Sequence, residues 1–104
     1  MHGTIRRYEA TDQNRTSELV KKVDETFVPR LSKLPGFSGY YLIEADNGVM
    51  SSVSFFDTSE QADEATRLAS SWVREQKLEK ALPNPPKITS GAIVVSKTRE
   101  LVPA

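Results

Sequence analysis

The chain has 104 residues, enough for one hydrophobic core, and its 38% hydrophobic and 27% charged content is that of a globular domain. Fourteen basic and fourteen acidic side chains cancel, and each half of the sequence carries seven of each sign, so no basic face marks a nucleic-acid or anionic-membrane partner. There is no cysteine and one histidine, His2, which removes disulfides, thiol chemistry and any histidine-built metal site that does not draw on a second chain.

Residues His2 to Tyr8 read as a strand, with Gly3, Ile5 and Arg7 on one face and Thr4, Arg6 and Tyr8 on the other. A polar loop follows from Ala10 to Arg15. Thr16 has the chemistry of an N-cap, and Glu18 suits the positive end of the helix behind it. Val20, Val23, Phe27 and Leu31 recur at helical spacing. Pro29, lacking a backbone donor, predicts a kink or break near Thr26, with a further turn reaching Lys33. Leu34-Pro35-Gly36-Phe37 stops the helix.

Ser38 to Ala45 is a predicted strand, and Asp46-Asn47-Gly48 is a hairpin signal because that turn needs positive φ at both central residues. Val49 to Phe56 returns as its partner. Asp57-Thr58-Ser59-Glu60 opens a second helix whose apolar face runs Ala62, Ala65, Ala69, Trp72 and Val73, and which should end between Lys77 and Leu82. Pro83-Asn84-Pro85-Pro86 leads to a last strand expected over Lys87 to Lys97, centred on Ile93-Val94-Val95. The order is βαββαβ, an α+β ferredoxin-like arrangement in one domain spanning 1–104, with two helices on one face of a four-stranded antiparallel sheet. The N-terminus has no apolar core of the signal-peptide kind, and no apolar run reaches membrane-spanning length, so a cytoplasmic location is expected.

The strands are apolar on both faces. Tyr41 and Ile43 oppose Tyr40 and Leu42, Phe55 opposes Phe56, and Ile93 and Val95 oppose Ala92 and Val94. Two helices cover one face only, and a second copy is the simplest cover for the other, so a homodimer formed through the sheet faces is expected.

Three stretches, "LPGF", "GYYLI" and "DNGVMSSVSFFDTSEQADEA", followed by a tryptophan late in the second helix, resemble the antibiotic biosynthesis monooxygenase domain family, over residues 2 to about 97. The resemblance implies a dimeric α+β barrel with a pocket between sheet and helices in each protomer. It also implies a range of activities, from oxidation of aromatic phenols by molecular oxygen without metal or flavin, through haem degradation and polyketide cyclisation, to none assigned. No cofactor is expected here: the five glycines, at 3, 36, 39, 48 and 91, form no phosphate loop. Trp72 matches the tryptophan that lines the pocket in quinone-forming and haem-degrading relatives. The asparagine of quinone-forming members is replaced by Leu68, and the histidine ligand of haem-degrading members has no counterpart between Leu78 and Leu82.

The remaining candidates come from side-chain chemistry. An inward Arg6 or Arg7 would clamp a carboxylate or phenolate, or else form an ordinary ion pair at the sheet edge. Tyr40 and Tyr41 are hydrogen-bond donors as well as packing residues, and Ser52 and Ser54 leave room on the face they share with Met50 and Phe56. His2 has the pKa of an acid–base group but stands at the extreme N-terminus. The expected occupant is a small aromatic ligand. A cavity of a few hundred cubic ångströms beside Trp72 would favour an enzyme, and a filled one a non-catalytic binding or regulatory module.

Overall fold

A computed structural model of the chain describes residues 1–97. Strand β1 (His2–Tyr8) leads through a short 3₁₀ turn (Gln13–Arg15) to helix α1 (Thr16–Lys22), a π turn (Val23–Phe27) and helix α2 (Val28–Ser32). Strands β2 (Phe37–Glu44) and β3 (Met50–Phe56) form a hairpin, helix α3 spans Ser59–Glu75, and β4 is Lys87–Ala92. The sheet order is β2-β3-β1-β4 with every pair antiparallel, which is the ferredoxin-like α+β arrangement. Among the described residues no helix is long and apolar enough to cross a membrane.

The first helical segment breaks where proline chemistry places it. Pro29 offers no N–H, and one turn earlier the ladder widens, with the Val28 N–H reaching the Val23 carbonyl five residues back. The widening also selects the buried face. In a regular α-helix, four-residue steps drift around the axis, and the π turn takes that drift back. Leu19, Val23, Phe27 and Leu31 therefore stay on one line into the core. Leu19 replaces the expected Val20, which is exposed. Thr16 is not the cap but the first helical residue, and Asp12 caps the preceding 3₁₀ turn by accepting from the Asn14 N–H.

Helix α3 begins with a reciprocal capping box. Thr58 Oγ1 accepts from the Gln61 N–H at 3.2 Å and Gln61 Oε1 accepts from the Thr58 N–H at 3.1 Å. Alanines at 62, 65 and 69 let this helix lie close to the sheet, and Trp72 follows on the same buried face. The helix closes earlier than expected, at Glu75. Lys77 takes the left-handed conformation, its N–H bonds the Arg74 carbonyl, and the Leu78 N–H bonds that of Val73, the two hydrogen bonds of a Schellman end.

In the β2–β3 hairpin, Asn47 and Gly48 both have positive φ, 62° and 72°, as the Asn-Gly signal requires. The Gly48 carbonyl is held by the Thr11 N–H and hydroxyl. The last strand differs from expectation. It ends at Ala92, a final Ile93 N–H to Met1 carbonyl bond closes it, and Val94 and Val95 lie outside the ladder, 89% and 87% exposed. An apolar run is not a strand where no neighbouring strand continues beside it, and β1 starts at His2, opposite Ala92.

The sheet separates the side chains by face as the alternation requires. Thr4, Arg6, Met50, Ser52, Ser54 and Phe56 are buried under the helices. On the other face the register brings Tyr41, Val53 and Ile5 into one row, beside Ile43 and Phe55. Tyr41, Ile43 and Ile5 are exposed there, at 64%, 52% and 43%.

Candidate functional site

Between α3, the α1–α2 segment and the sheet lies a narrow apolar chamber of about 40 Å³. Val23, Phe27, Leu42, Ala69 and Trp72 form much of its wall, and Arg6, Tyr8, Tyr40 and Ser52 bring polar groups to it. This volume holds a few water molecules, not an aromatic ring. An open groove of about 470 Å³ adjoins it at the β4 edge, and Arg6, Tyr8, Ala69, Val73 and Leu82 are shared between the two.

Arg6 dominates the electrostatics. It projects from the middle of β1, between Ser52 of β3 and Ile88 of β4 in the register, and is only 2% exposed. Its Nη2 donates to Thr66 Oγ1 at 2.6 Å, and that hydroxyl donates to the Ala62 carbonyl. Its Nε is buried with no partner, and among the described residues no carboxylate forms an ion pair with it. Burial lowers the Arg6 pKa below the ordinary guanidinium value, the expected response of a cation removed from water. Among the described residues this guanidinium has no counter-anion.

Two tyrosines stand near it. Burial pushes Tyr40 up to about 12, with Tyr8 adding to the rise and Ser52 and Arg6 pulling back. Tyr8 is raised by the same desolvation, offset by Arg6. Both hydroxyls therefore keep their protons at neutral pH and are available as donors. Tyr8 was placed on the Arg6 face of the strand but was not among the candidate site residues.

Trp72 presents its ring to the chamber and its N–H elsewhere. The indole donates to Thr26 Oγ1 at 2.8 Å, and the Thr26 hydroxyl donates to the Lys22 carbonyl at 2.7 Å. Thr26 sits within the π turn, so the irregular turn near Pro29 supplies the acceptor for the buried tryptophan. Nothing in the sequence marked Thr26 for that role. The Phe27 ring lies 5.0 Å from Trp72 and 5.7 Å, edge-on, from Tyr40, which makes one aromatic wall.

The other candidates lie apart. Arg7 is on the opposite sheet face, where it pairs with Glu9 at 3.5 Å, and Tyr41 is on that face too, packed edge-on to Phe55. Ser54 is buried with its Oγ unpartnered but does not line the chamber. His2 Nε2 lies 2.8 Å from Ser90 Oγ, which is 3.0 Å from Thr4 Oγ1. No acid joins this chain of groups among the described residues, so it lacks the third member that orients a nucleophile's base. No cluster of metal-ligating side chains occurs among the described residues.

Comparison with known proteins assigns the fold. No family model matches the chain and no curated protein matches it. Among solved structures, a protein of unknown function from Nitrosomonas europaea aligns over 95% of this chain and 94% of its own, with a TM-score of 0.74 at 12% identity. A dimeric ferredoxin-like protein from an uncultured marine organism aligns over 95% and 92%, with a TM-score of 0.71 at 18% identity. A monooxygenase from Streptomyces coelicolor, solved with the ligand nanaomycin D, aligns over 91% and 92%, with a TM-score of 0.67 at 16% identity. Other structures described as antibiotic biosynthesis monooxygenases share this architecture. The chain therefore has the ferredoxin-like α+β fold of the antibiotic biosynthesis monooxygenase-like proteins, and at these identities the likeness is one of fold.

Proposed function

We propose that the protein is a homodimer that binds a small ionisable aromatic molecule between α3 and the sheet of each protomer and oxidises it with molecular oxygen, without a cofactor. The observation that carries this reading is the Arg6 guanidinium, buried in the wall of an aromatic chamber with no acid paired to it among the described residues. A buried charge held by a hydroxyl but by no counter-ion costs the empty protein stability, and the cost is relieved when an anion binds. A phenolate or enolate bound against Arg6 would supply the missing anion, with Tyr8 or Tyr40 donating a further hydrogen bond. The same contacts stabilise the electron-rich substrate anion, which is the species that reduces oxygen. The apolar walls exclude water from it. The dimer reading is supported by the row of Tyr41, Val53 and Ile5, in which Tyr41 and Ile5 are exposed and which a second copy would cover.

A second reading, a non-catalytic ligand-binding or regulatory dimer with a filled pocket, is favoured by the 40 Å³ of the chamber and by Leu68, which packs against the core where quinone-forming members carry an asparagine. Under the first reading the ligand must displace part of the wall shared with the groove. Calorimetry and an oxygen electrode with a panel of naphthols and hydroquinones separate the two. Binding with oxygen uptake, both lost in Arg6→Met, is the expected result. Binding without uptake supports the non-catalytic reading, and no binding by any member overturns both.

A further inference from the structure

The groove beyond the chamber carries its own chemistry. It is framed by α3, by the 82–86 segment and by Ile88 at the β4 edge. Its volume of about 470 Å³ lies within the range of sites that bury small organic ligands. Along its α3 side stand Thr66, Ser70 and Arg74, and Arg6 closes its inner end. Arg74 forms no ion pair among the described residues, not even with Glu79, the one acid that lines the groove. The neighbouring arginines of the same helical segments are different: Arg67 is paired with Glu64, and Arg30 with Glu75. Leu82, Pro83 and Ile88 add apolar surface to the same lining.

We propose that this groove binds a monoanionic carboxylate attached to an apolar body, the carboxylate held by Arg6 and Arg74 and the body lying over Leu82, Pro83 and Ile88. The inference rests on the functional reading above, because the two spaces meet at Arg6, and it adds a carboxylate to the aromatic ligand class named there. Two independent observations converge on it. The Arg6 side chain is buried and its Nε is unpartnered at the inner end of the groove. A second guanidinium, without an ion pair among the described residues, lines the same space with the Ser70 hydroxyl, a donor set suited to a carboxylate, whereas the Thr66 hydroxyl already donates to the Ala62 carbonyl. Two arginines against one Glu79 leave a single net positive charge, which matches a monoanion. A phosphate monoester would bring a second negative charge beside Glu79 with nothing to balance it.

The test is calorimetric titration of the whole protein with 1-naphthoate, its neutral isostere 1-naphthamide, and 1-naphthyl phosphate. Naphthoate is expected to bind about tenfold more tightly than the amide, the effect of one charge-assisted contact. Arg74→Gln should weaken naphthoate more than naphthamide and so narrow that preference. Arg67→Gln, which makes the same change in net charge on the same helix outside the groove, should leave the preference intact. Equal binding of naphthoate and naphthamide, equal effects of the two arginine variants, tighter binding of the phosphate, or no binding of naphthoate would each overturn the inference. Quenching of Trp72 fluorescence by 1-naphthol, read in the same protein, separates this from failure of the functional reading. Quenching without carboxylate preference leaves the chamber and removes the groove, and a preference without quenching does the reverse.

Discussion

Arg6 is the residue on which stability and function divide. A side chain kept for packing would lower stability when replaced by an apolar one of similar length, whereas an unpaired buried charge would not. Arg6→Met is therefore expected to raise the unfolding free energy of the ligand-free protein by about 1–2 kcal/mol in urea denaturation. A loss of that size would mean that the bond to Thr66 outweighs the buried charge. Tyr40 makes a separate prediction. Its pKa is about 12 in the folded protein against 10.0 ordinarily, so the folded state holds a proton that the unfolded state releases. The raised value means that the contribution is whole below pH 10 and is lost as pH rises from 10 to 12. Stability should fall by about 2 kcal/mol across that window, with Tyr8 acting in the same direction, and Tyr40→Phe should flatten the slope. The face that carries Arg6 was legible from strand alternation, since Thr4, Arg6 and Tyr8 separate from Gly3, Ile5 and Arg7. Its lack of an acid was not, because that depends on which residues of α3 come to rest above it.

Secondary structure was legible at several boundaries that a local chemical signal sets, though not at Thr16, which is the first helical residue rather than the cap. Asn47-Gly48, the Thr58 start of α3 and the break before Pro29 are such signals. The reading failed where a boundary depends on a neighbour: β4 stops because β1 has begun, and Leu19 replaces Val20 because the π turn shifts the buried line. Two glycines show how local and tertiary constraints combine. Gly36 has φ 78°, and a Cβ there would stand 1.8 Å from Gln61 Oε1, the atom that completes the α3 capping box. Gly48 has φ 72° and its nearest obstacle is the Thr11 carbonyl at 3.2 Å. Both alanine variants should lose about 1 kcal/mol to the left-handed backbone. Gly36→Ala should lose about 1 kcal/mol more through the cap. Equal losses in denaturant titrations would show that the box survives without its tight fit.

At the level of the whole molecule, two-sided strands pointed to the fold and to a partner at once. The helices cover Met50, Ser52, Ser54 and Phe56, and leave Ile5, Tyr41 and Ile43 bare on the far side. A charge placed in that row would have to be buried at a symmetric interface, twice, against its own copy. Ile5→Glu is expected to convert the dimer to a monomer in sedimentation velocity without unfolding it, since the side chain is exposed in the single protomer. An unchanged sedimentation coefficient would place the interface elsewhere. The candidate site was only half legible at this scale. Trp72, Tyr40 and Ser52 meet Arg6 at the chamber, but Tyr41, Arg7 and Ser54 do not line it, and the size of the space depends on packing that no spacing rule conveys.

The central claim is that the space beside Trp72 takes a ligand through Arg6, and titration of the sole tryptophan's fluorescence with 1-naphthol tests it most directly. Saturable quenching in the wild type, with affinity reduced about tenfold or more in a folded Arg6→Met protein, is the predicted result. Unchanged emission at all concentrations, or equal quenching of both proteins, would contradict it.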